Sequence, residues 1–107
     1  MRAPVIRISL GFFDAEKFDL VSAKLAEARE RIEPGIRAMR GNLGYFAGVD
    51  RAACAMHNVS MWETVADANQ MASFQPMLDL AGEFAALRVR FQRPILNFET
   101  LWSIGGE

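Results

Sequence analysis

Three residue types that often carry catalysis are scarce in this chain of 107 residues, which has one cysteine, one histidine and one tyrosine. Cys54 has no second cysteine for an intramolecular disulfide and no metal-ligand spacing around it, so we interpret it as a small buried apolar side chain. One histidine and one cysteine cannot make a metal constellation, and we find no Ser-His-Asp arrangement. We therefore predict no metal site and no catalytic triad.

An excess of charge of either sign is lacking as well. Lysine and arginine number 12 against 13 acidic residues, for a formal net charge of −1, which argues against nucleic acid or an anionic membrane as a partner. No apolar run of about 18 residues is present to span a bilayer, and residues 1–7 lack the apolar core of a secretory signal. We expect a cytoplasmic protein that binds neither nucleic acid nor membrane.

The patterns that are present predict one domain over residues 1–107. Alternating apolar residues predict strands over 5–12, 43–50, 55–62 and 95–102. Apolar spacings of three and four predict a helix that begins after an N-cap at Asp14 and ends at Pro34-Gly35, with Glu27 and Arg31 as an ion pair on its outer side. Residues 36–40 could add one further turn before Gly41.

The second half of the chain supplies two more helical segments. Thr64 and Asp67 resemble a capping box that opens a brief helix, and the apolar stripe from Met77 to Phe91 predicts a long one. The resulting order is βαββαβ. It predicts an α+β, ferredoxin-like fold in which a four-stranded antiparallel sheet carries its helices on one face.

The third strand is apolar on both of its faces. Met56 and Trp62 alternate with His57 and Met61, so neither side of this strand is plainly wet. We expect the face of Trp62, with Arg7 and Ser9 beside it, to be the side without helices, covered by a second copy of the chain. His57 would then point toward the helices as a hydrogen-bonded structural residue, unless a one-residue bulge reverses it.

These residues carry a family likeness. The element order, the strand ending in 59–63, the small residues Ala66 and Ala68 in the next helix and the terminal run 97–102 resemble the antibiotic biosynthesis monooxygenase family of dimeric α+β barrels. The resemblance implies a homodimer whose two sheets form a barrel, with one ligand cavity per subunit between sheet and helices. Because members include oxygenases of polycyclic phenols, haem-degrading enzymes and isomerases, the resemblance does not select one reaction.

The haem-degrading branch of that family is a poor match. It has an asparagine on the first strand, where this chain has Arg7 and Ser9, and a histidine on the helix after the third strand, where this chain has none between Asp67 and Phe91. Iron without an axial imidazole would need a different ligand. We therefore expect at most weak, non-specific haem binding, and no cofactor.

The candidate catalytic residues are Arg7, Asn58 and Trp62. Asn58 would orient a phenol or quinone oxygen, Arg7 would stabilise an enolate or phenolate, and Trp62 would form an aromatic wall of the cavity. The candidate substrate-binding residues are Ser9, Tyr45, Met56 and Ser60.

Each candidate also has a structural interpretation. Arg7 could pair with Glu99 or another acid at the rim of the barrel, and Trp62 could fill the core. Tyr45 could be half-buried with its hydroxyl in water, and Met56 could serve core packing alone.

Two functions remain open at this point. The first is a small cofactor-independent oxygenase or isomerase acting on an aromatic or enolisable molecule. The second is a non-catalytic homodimer that binds a small ligand or acts as an interaction module. A cavity with room for a ring favours the first, whereas a barrel filled by side chains favours the second.

Overall fold

The computed structural model describes residues 3–105 and has an α+β fold. Its strands are β1 (Val5–Phe12), β2 (Asn42–Asp50), β3 (Ala55–Trp62), β4 (Arg90–Phe91) and β5 (Leu96–Glu99), and its helices are α1 (Phe18–Arg37), α2 (Val65–Ala68) and α3 (Gln75–Ala86). The predicted antiparallel sheet with helices on one face is confirmed. No helix in this part of the chain combines the length and apolar character needed to cross a membrane.

All strand pairs are antiparallel, and β1 lies in the middle of the sheet. β3 pairs with one side of β1 and β2 pairs with β3, while β4 and β5 both pair with the other side of β1. The row beside β1 thus consists of two short strands, of which β5 corresponds to the predicted last strand and β4 lies in residues predicted to be helical. β5 is also shorter than predicted, ending at Glu99 instead of at residue 102.

Two helix ends differ from the prediction. The prediction that the second long helix extends to Phe91 is wrong. This helix, α3, ends at Ala86, and Arg88 has a φ of 69°, a left-handed conformation that is common where helices end. At the other helix, α1 continues through Pro34 to Arg37 and buries Ile36. Gly35 has a packing role there, because a Cβ at this position would overlap the ring of Phe74.

The two capping predictions have different outcomes. Thr64 caps α2, since its side chain accepts a hydrogen bond from the Asp67 amide at 3.0 Å. Asp14 precedes a short 3₁₀ segment, Ala15–Lys17, but makes no capping hydrogen bond with its side chain. The predicted cap at Asp14 is therefore not formed, and α1 begins at Phe18, which is buried together with Phe13.

The face of the sheet that the helices cover is opposite to the predicted one. The buried stripe of α1, which includes Val21, Leu25 and Ile32, shares the core with Met56 and Trp62. The other side of the sheet, here called the open face, carries an apolar set that no helix of the described chain covers: Ile6, Ile8, Leu10, Phe46, Val59, Met61, Leu96 and Phe98. Alternation separates the two sets correctly, but since both contain large apolar side chains it cannot tell which set the helices cover.

Candidate functional site

A cavity of about 430 Å³ lies between the sheet and helices α1 and α3. This volume is in the range of small-molecule sites and has room for a fused-ring ligand. Six of the seven predicted site residues line it: Arg7, Ser9, Tyr45, Met56, Asn58 and Ser60. Leu25, Ile32, Leu80 and Phe84 supply much of its apolar wall.

Strand register explains why the polar residues meet at this cavity. Ser60 of β3 lies opposite Arg7 on one side and opposite Tyr45 on the other, and Asn58 lies opposite Ser9. Directly opposed residues project from the same face of a sheet. The polar side chains of three strands therefore form one wall beneath the helices.

Tyr45 and Asn58 are joined by a hydrogen bond in which the Tyr45 hydroxyl donates to Asn58 Oδ1 at 2.8 Å. This bond uses the amide oxygen of Asn58 and leaves its Nδ2–H groups for other acceptors. Burial raises the pKa of Tyr45 well above its usual range, and the positive charge of Arg7 offsets only part of this rise. Tyr45 therefore remains a neutral hydrogen-bond donor at physiological pH.

Trp62 does not line this cavity, contrary to the predicted aromatic wall. Its side chain is fully buried, and its Nε1–H donates to Ser60 Oγ at 2.8 Å. With that lone pair occupied, the Ser60 hydroxyl can donate its own proton elsewhere. The core interpretation of Trp62 is thus the one the geometry supports, and Trp62 can influence a ligand only by positioning Ser60.

Arg7 does not pair with Glu99, which lies opposite Val5 instead. Its side-chain partner is Asn97, whose Oδ1 accepts from Arg7 Nη1 at 3.4 Å. Among residues 3–105, no salt bridge involves Arg7. Burial lowers the pKa of Arg7, and the charge of Arg93 lowers it further. Arg7 therefore presents a half-buried charge to the cavity.

Sequence reasoning missed Arg93 and Asn97, which also line the cavity. The position of Asn97 could have been predicted from the sequence. It is a polar residue within an apolar last strand, and in the antiparallel pairing it lies opposite Arg7 and faces the same side of the sheet. Arg93 precedes Pro94 in the break between β4 and β5, where no periodic pattern indicates its direction. Its guanidinium lies 5.0 Å from the centre of the Phe91 ring, another part of the cavity wall.

His57 lies on the open face, so the prediction that it points toward the helices is wrong. It is opposite Leu10 on β1 and Gly48 on β2, and a Cβ at Gly48 would meet its ring. The Nδ1 atom of His57 has no hydrogen-bond partner within residues 3–105. The same residues contain no group of three or more histidine, cysteine or acidic side chains able to hold a metal ion.

A second hollow, of about 700 Å³, lies between α1 and β2 and shares Tyr45 and Asn58 with the first. Its rim includes Arg29, Glu33 and Arg37, which pair with one another along the surface of α1. We assign the candidate site to the cavity of about 430 Å³, since that cavity holds the polar side chains of β1 and β3.

Comparison with known proteins identifies several solved structures with the same fold. A proposed antibiotic biosynthesis monooxygenase from Deinococcus radiodurans superposes with a TM-score of 0.72 at 16% identity, over 96% of this chain and 98% of its own. A monooxygenase from the gene ActVA-Orf6 of Streptomyces coelicolor, in complex with nanaomycin D, gives 0.73 at 14% identity, over 99% and 95%. NE2512 of Nitrosomonas europaea, a protein of unknown function, gives 0.69 at 15% identity, over 99% and 97%.

These structures confirm the resemblance to antibiotic biosynthesis monooxygenases at the level of the fold. No protein-family model and no curated protein matches the sequence. The fold also serves different roles in different proteins. The function must therefore be argued from the cavity.

Proposed function

We propose that the protein is a small monooxygenase-like enzyme that acts, without a cofactor, on an aromatic or enolisable molecule held in the cavity. The observation that carries this proposal is the row of hydrogen-bond donors from Arg7, Asn58 and Ser60 along one wall of a largely apolar cavity. The shared fold with a monooxygenase that binds nanaomycin D supports the general kind of function.

A substrate oxygen at this wall would accept hydrogen bonds from Asn58 and Ser60. Arg7 lies directly opposite Ser60 on the neighbouring strand and adds a positive charge beside the same oxygen. Donors and positive charge together favour the ionised enolate or phenolate over the neutral form. The described lining contains no histidine, aspartate or glutamate, so we propose that the proton passes to water and that the best substrates are already acidic.

The ionised substrate is the species that reacts with oxygen. Oxidation of a CH₂ group to C=O releases four electrons, and O₂ accepts all four. One oxygen atom enters the new carbonyl group, and the other leaves as water with the two hydrogens of the CH₂ group. Such a reaction needs no external reductant, which fits a cofactor-independent enzyme.

We also propose that the enzyme works as a homodimer joined through the open face. A second copy is an economical cover for this apolar face, and the resemblance to dimeric α+β barrels implies that two sheets pair in this way. A stable interface of this kind buries on the order of 1,200 to 2,000 Å². The cavity lies on the other side of the sheet, so dimerisation leaves it available to a ligand.

Oxygen uptake tests the proposed reaction. Anthrone is a suitable probe, because its CH₂ group lies between two rings and its enol is acidic. With chelator present and no flavin added, we expect uptake of one O₂ per anthrone and one ¹⁸O atom in the product. Binding without turnover across anthrone and several acidic phenols would instead favour the non-catalytic alternative.

An Asn58→Leu variant tests whether the hydrogen-bond donors along the cavity wall bind a ligand oxygen. We expect it to weaken binding of hydroxylated aromatic ligands by about 1 to 3 kcal/mol more than binding of their deoxy analogues, because a buried hydrogen bond is lost. Asn42→Leu is the matched control, since Asn42 lies outside the cavity of about 430 Å³. Titration calorimetry measures both. An equal loss for hydroxylated and deoxy ligands would assign Asn58 a packing role only.

A further inference from the structure

We propose that the natural ligand of this cavity carries a carboxylate in addition to its reacting oxygen, and that the carboxylate binds between Arg7 and Arg93. This inference rests on the proposed function, because it assigns the substrate class of the same site.

The cavity carries two positive charges and no compensating negative one in the part of the chain that the structure describes. Arg7 and Arg93 both line it, and its described lining contains no aspartate or glutamate. Neither arginine takes part in a salt bridge within residues 3–105. Arg7 is half-buried, whereas Arg93 is exposed. A half-buried cation without an ionic partner is costly, and an anion bound beside Arg7 relieves that cost.

The hydrogen bonds of Arg7 leave most of its guanidinium unused. Its side-chain bond is to Asn97 at 3.4 Å, which is long for a charged donor. Asn97 Nδ2 in turn donates to Asn69 Oδ1 at 3.4 Å, and this hydrogen bond orients the side-chain amide of Asn97. The remaining N–H groups of Arg7 are available to a planar acceptor such as a carboxylate.

Arg93 lies in the segment that follows β4, on the side of β1 away from β3, and lines the cavity from there. Its guanidinium lies over the Phe91 ring at 5.0 Å, and one N–H donates to the Gln92 carbonyl at 3.1 Å. After burial, the positive charge of Arg93 is the second cause of the lowered pKa of Arg7, and both residues line the same cavity. An anion between the two guanidinium groups converts this repulsion into two attractions.

The charges also match the proposed reaction. A substrate with a carboxylate and an ionised enol or phenol carries two negative charges when it reacts, equal to the charge of the arginine pair. The carboxylate end would lie toward Arg93, and the reacting oxygen would lie toward Asn58 and Ser60. The carboxylate thus orients the ring before oxygen arrives.

Matched ligands test this proposal. We choose 1,4-dihydroxy-2-naphthoic acid and its methyl ester, which share the ring and its hydroxyl groups and differ in the charge of one group. Titration calorimetry under argon avoids oxidation. We expect the acid to bind roughly 10- to 100-fold more tightly than the ester, as for hydrogen bonds to a charged group.

Variants of Arg93 assign the preference to the proposed position. Arg93→Gln should reduce the acid-to-ester ratio to below about threefold, chiefly by weakening binding of the acid. Arg93→Lys should retain part of the preference, because lysine keeps the positive charge but lacks the planar guanidinium that binds a carboxylate through two hydrogen bonds. Arg90→Gln is the control, since Arg90 lies on β4, pairs with Asp14 and does not line the cavity.

Each outcome separates this inference from the proposed function. Equal binding of acid and ester would overturn the carboxylate site while leaving an aromatic-binding cavity in place. A preference for the acid that survives Arg93→Gln would overturn the assignment to Arg93. Failure of both ligands to bind, with anthrone also inert, would overturn this inference and the proposed function together.

Discussion

Two hydrogen bonds between side chains determine the chemical character of the cavity wall. Tyr45 donates to Asn58 and Trp62 donates to Ser60, each at 2.8 Å. In both pairs the acceptor, Asn58 or Ser60, lines the cavity, so one of its oxygen lone pairs is occupied and its proton donor is left for a ligand. The wall therefore suits a ligand oxygen, and an anionic oxygen best.

The burial of Tyr45 leads to a prediction about its titration. Because its pKa is raised in the folded protein, the tyrosine of the unfolded chain ionises first, and the free energy of unfolding decreases as the pH rises above about 10. Tyr45 is the only tyrosine of the chain, so absorbance at 295 nm reports on it alone. We expect no ionisation step near pH 10 in the folded protein.

The same chain unfolded in guanidinium is the control for this titration. There the step should appear near pH 10. A Tyr45→Phe variant should show no step in either state and should lose less stability between pH 9 and pH 11. A step centred near pH 10 in the folded protein would contradict the buried, neutral tyrosine.

The sequence predicted most of the polar residues that line the candidate cavity, because strand alternation groups side chains reliably on one face. Ser9, Asn58 and Ser60 were expected on one face, and they line one cavity. Trp62 falls at the end of the same row, beyond the cavity, and alternation contains no information about depth. Arg93 lies in an irregular segment, where its direction depends on tertiary contacts alone.

At the scale of secondary-structure elements, two glycines have opposite roles. Gly41 has a φ of 75° between α1 and β2, and a Cβ there would meet the carboxylate of Asp67. Asp67 is buried and accepts from Arg40 at 2.7 Å, so it cannot move without losing its ion pair. Gly82 lies within α3 with no atom near the position of a Cβ.

Alanine substitution should therefore have opposite effects at these positions. Gly41→Ala should lower the free energy of unfolding by roughly 1 to 2 kcal/mol or more, from the left-handed conformation and the clash. Gly82→Ala should raise it by about 0.5 to 1 kcal/mol, since alanine favours a helix interior. Urea denaturation measures both. Equal and small effects would mean that the turn at Gly41 adapts freely.

Glu83 links the two long helices. It contacts Lys24 at 2.6 Å and Arg31 at 2.8 Å, both on α1. The predicted Glu27–Arg31 pair within α1 is therefore wrong, because Arg31 reaches across to α3 instead. These cations lower the pKa of Glu83 to about 2, mainly through hydrogen bonding.

This link predicts an acid-dependent stability. A glutamate with a lowered pKa stabilises the folded state above its ordinary pKa of about 4.5, and the contribution is lost as the pH falls toward 2. Glu83→Gln should lower the Tm at pH 6, and the difference from the wild type should shrink by pH 3. Glu27→Gln is the control and should leave the pH dependence unchanged. A constant difference across this range would show that the ion pairs contribute nothing.

The predicted helix ends were inaccurate because packing outweighs local sequence preference at both of them. Pro34 and Gly35 are common at helix ends, but Pro34 lies in the last turn of α1, and burial of Ile36 favours its continuation. Leu87 and Phe91 have helical spacing, yet Phe91 completes a strand row beside Gly11. In both cases packing against distant residues outweighs the local preference.

At the scale of the whole molecule, the open face is the feature that the single chain leaves incomplete. Its central row joins Ile8, Val59 and Phe46 across three strands, and Leu96 and Phe98 extend it beyond β1. The sequence predicted that one face of the sheet needs a second copy, but polarity alone pointed to the wrong face. Only the packing of the helices distinguishes the two.

A homodimer through the open face is the final prediction. Sedimentation at micromolar concentration should give a species of twice the 11.9 kDa of one chain. Phe46→Glu should produce monomers, because it places a charge in the middle of a buried apolar interface. Leu20→Glu on α1 is a matched control, since Phe46 and Leu20 are 56% and 57% exposed in the single chain. If Phe46→Glu still sediments as a dimer, the interface lies elsewhere and the barrel is not formed by these two sheet faces.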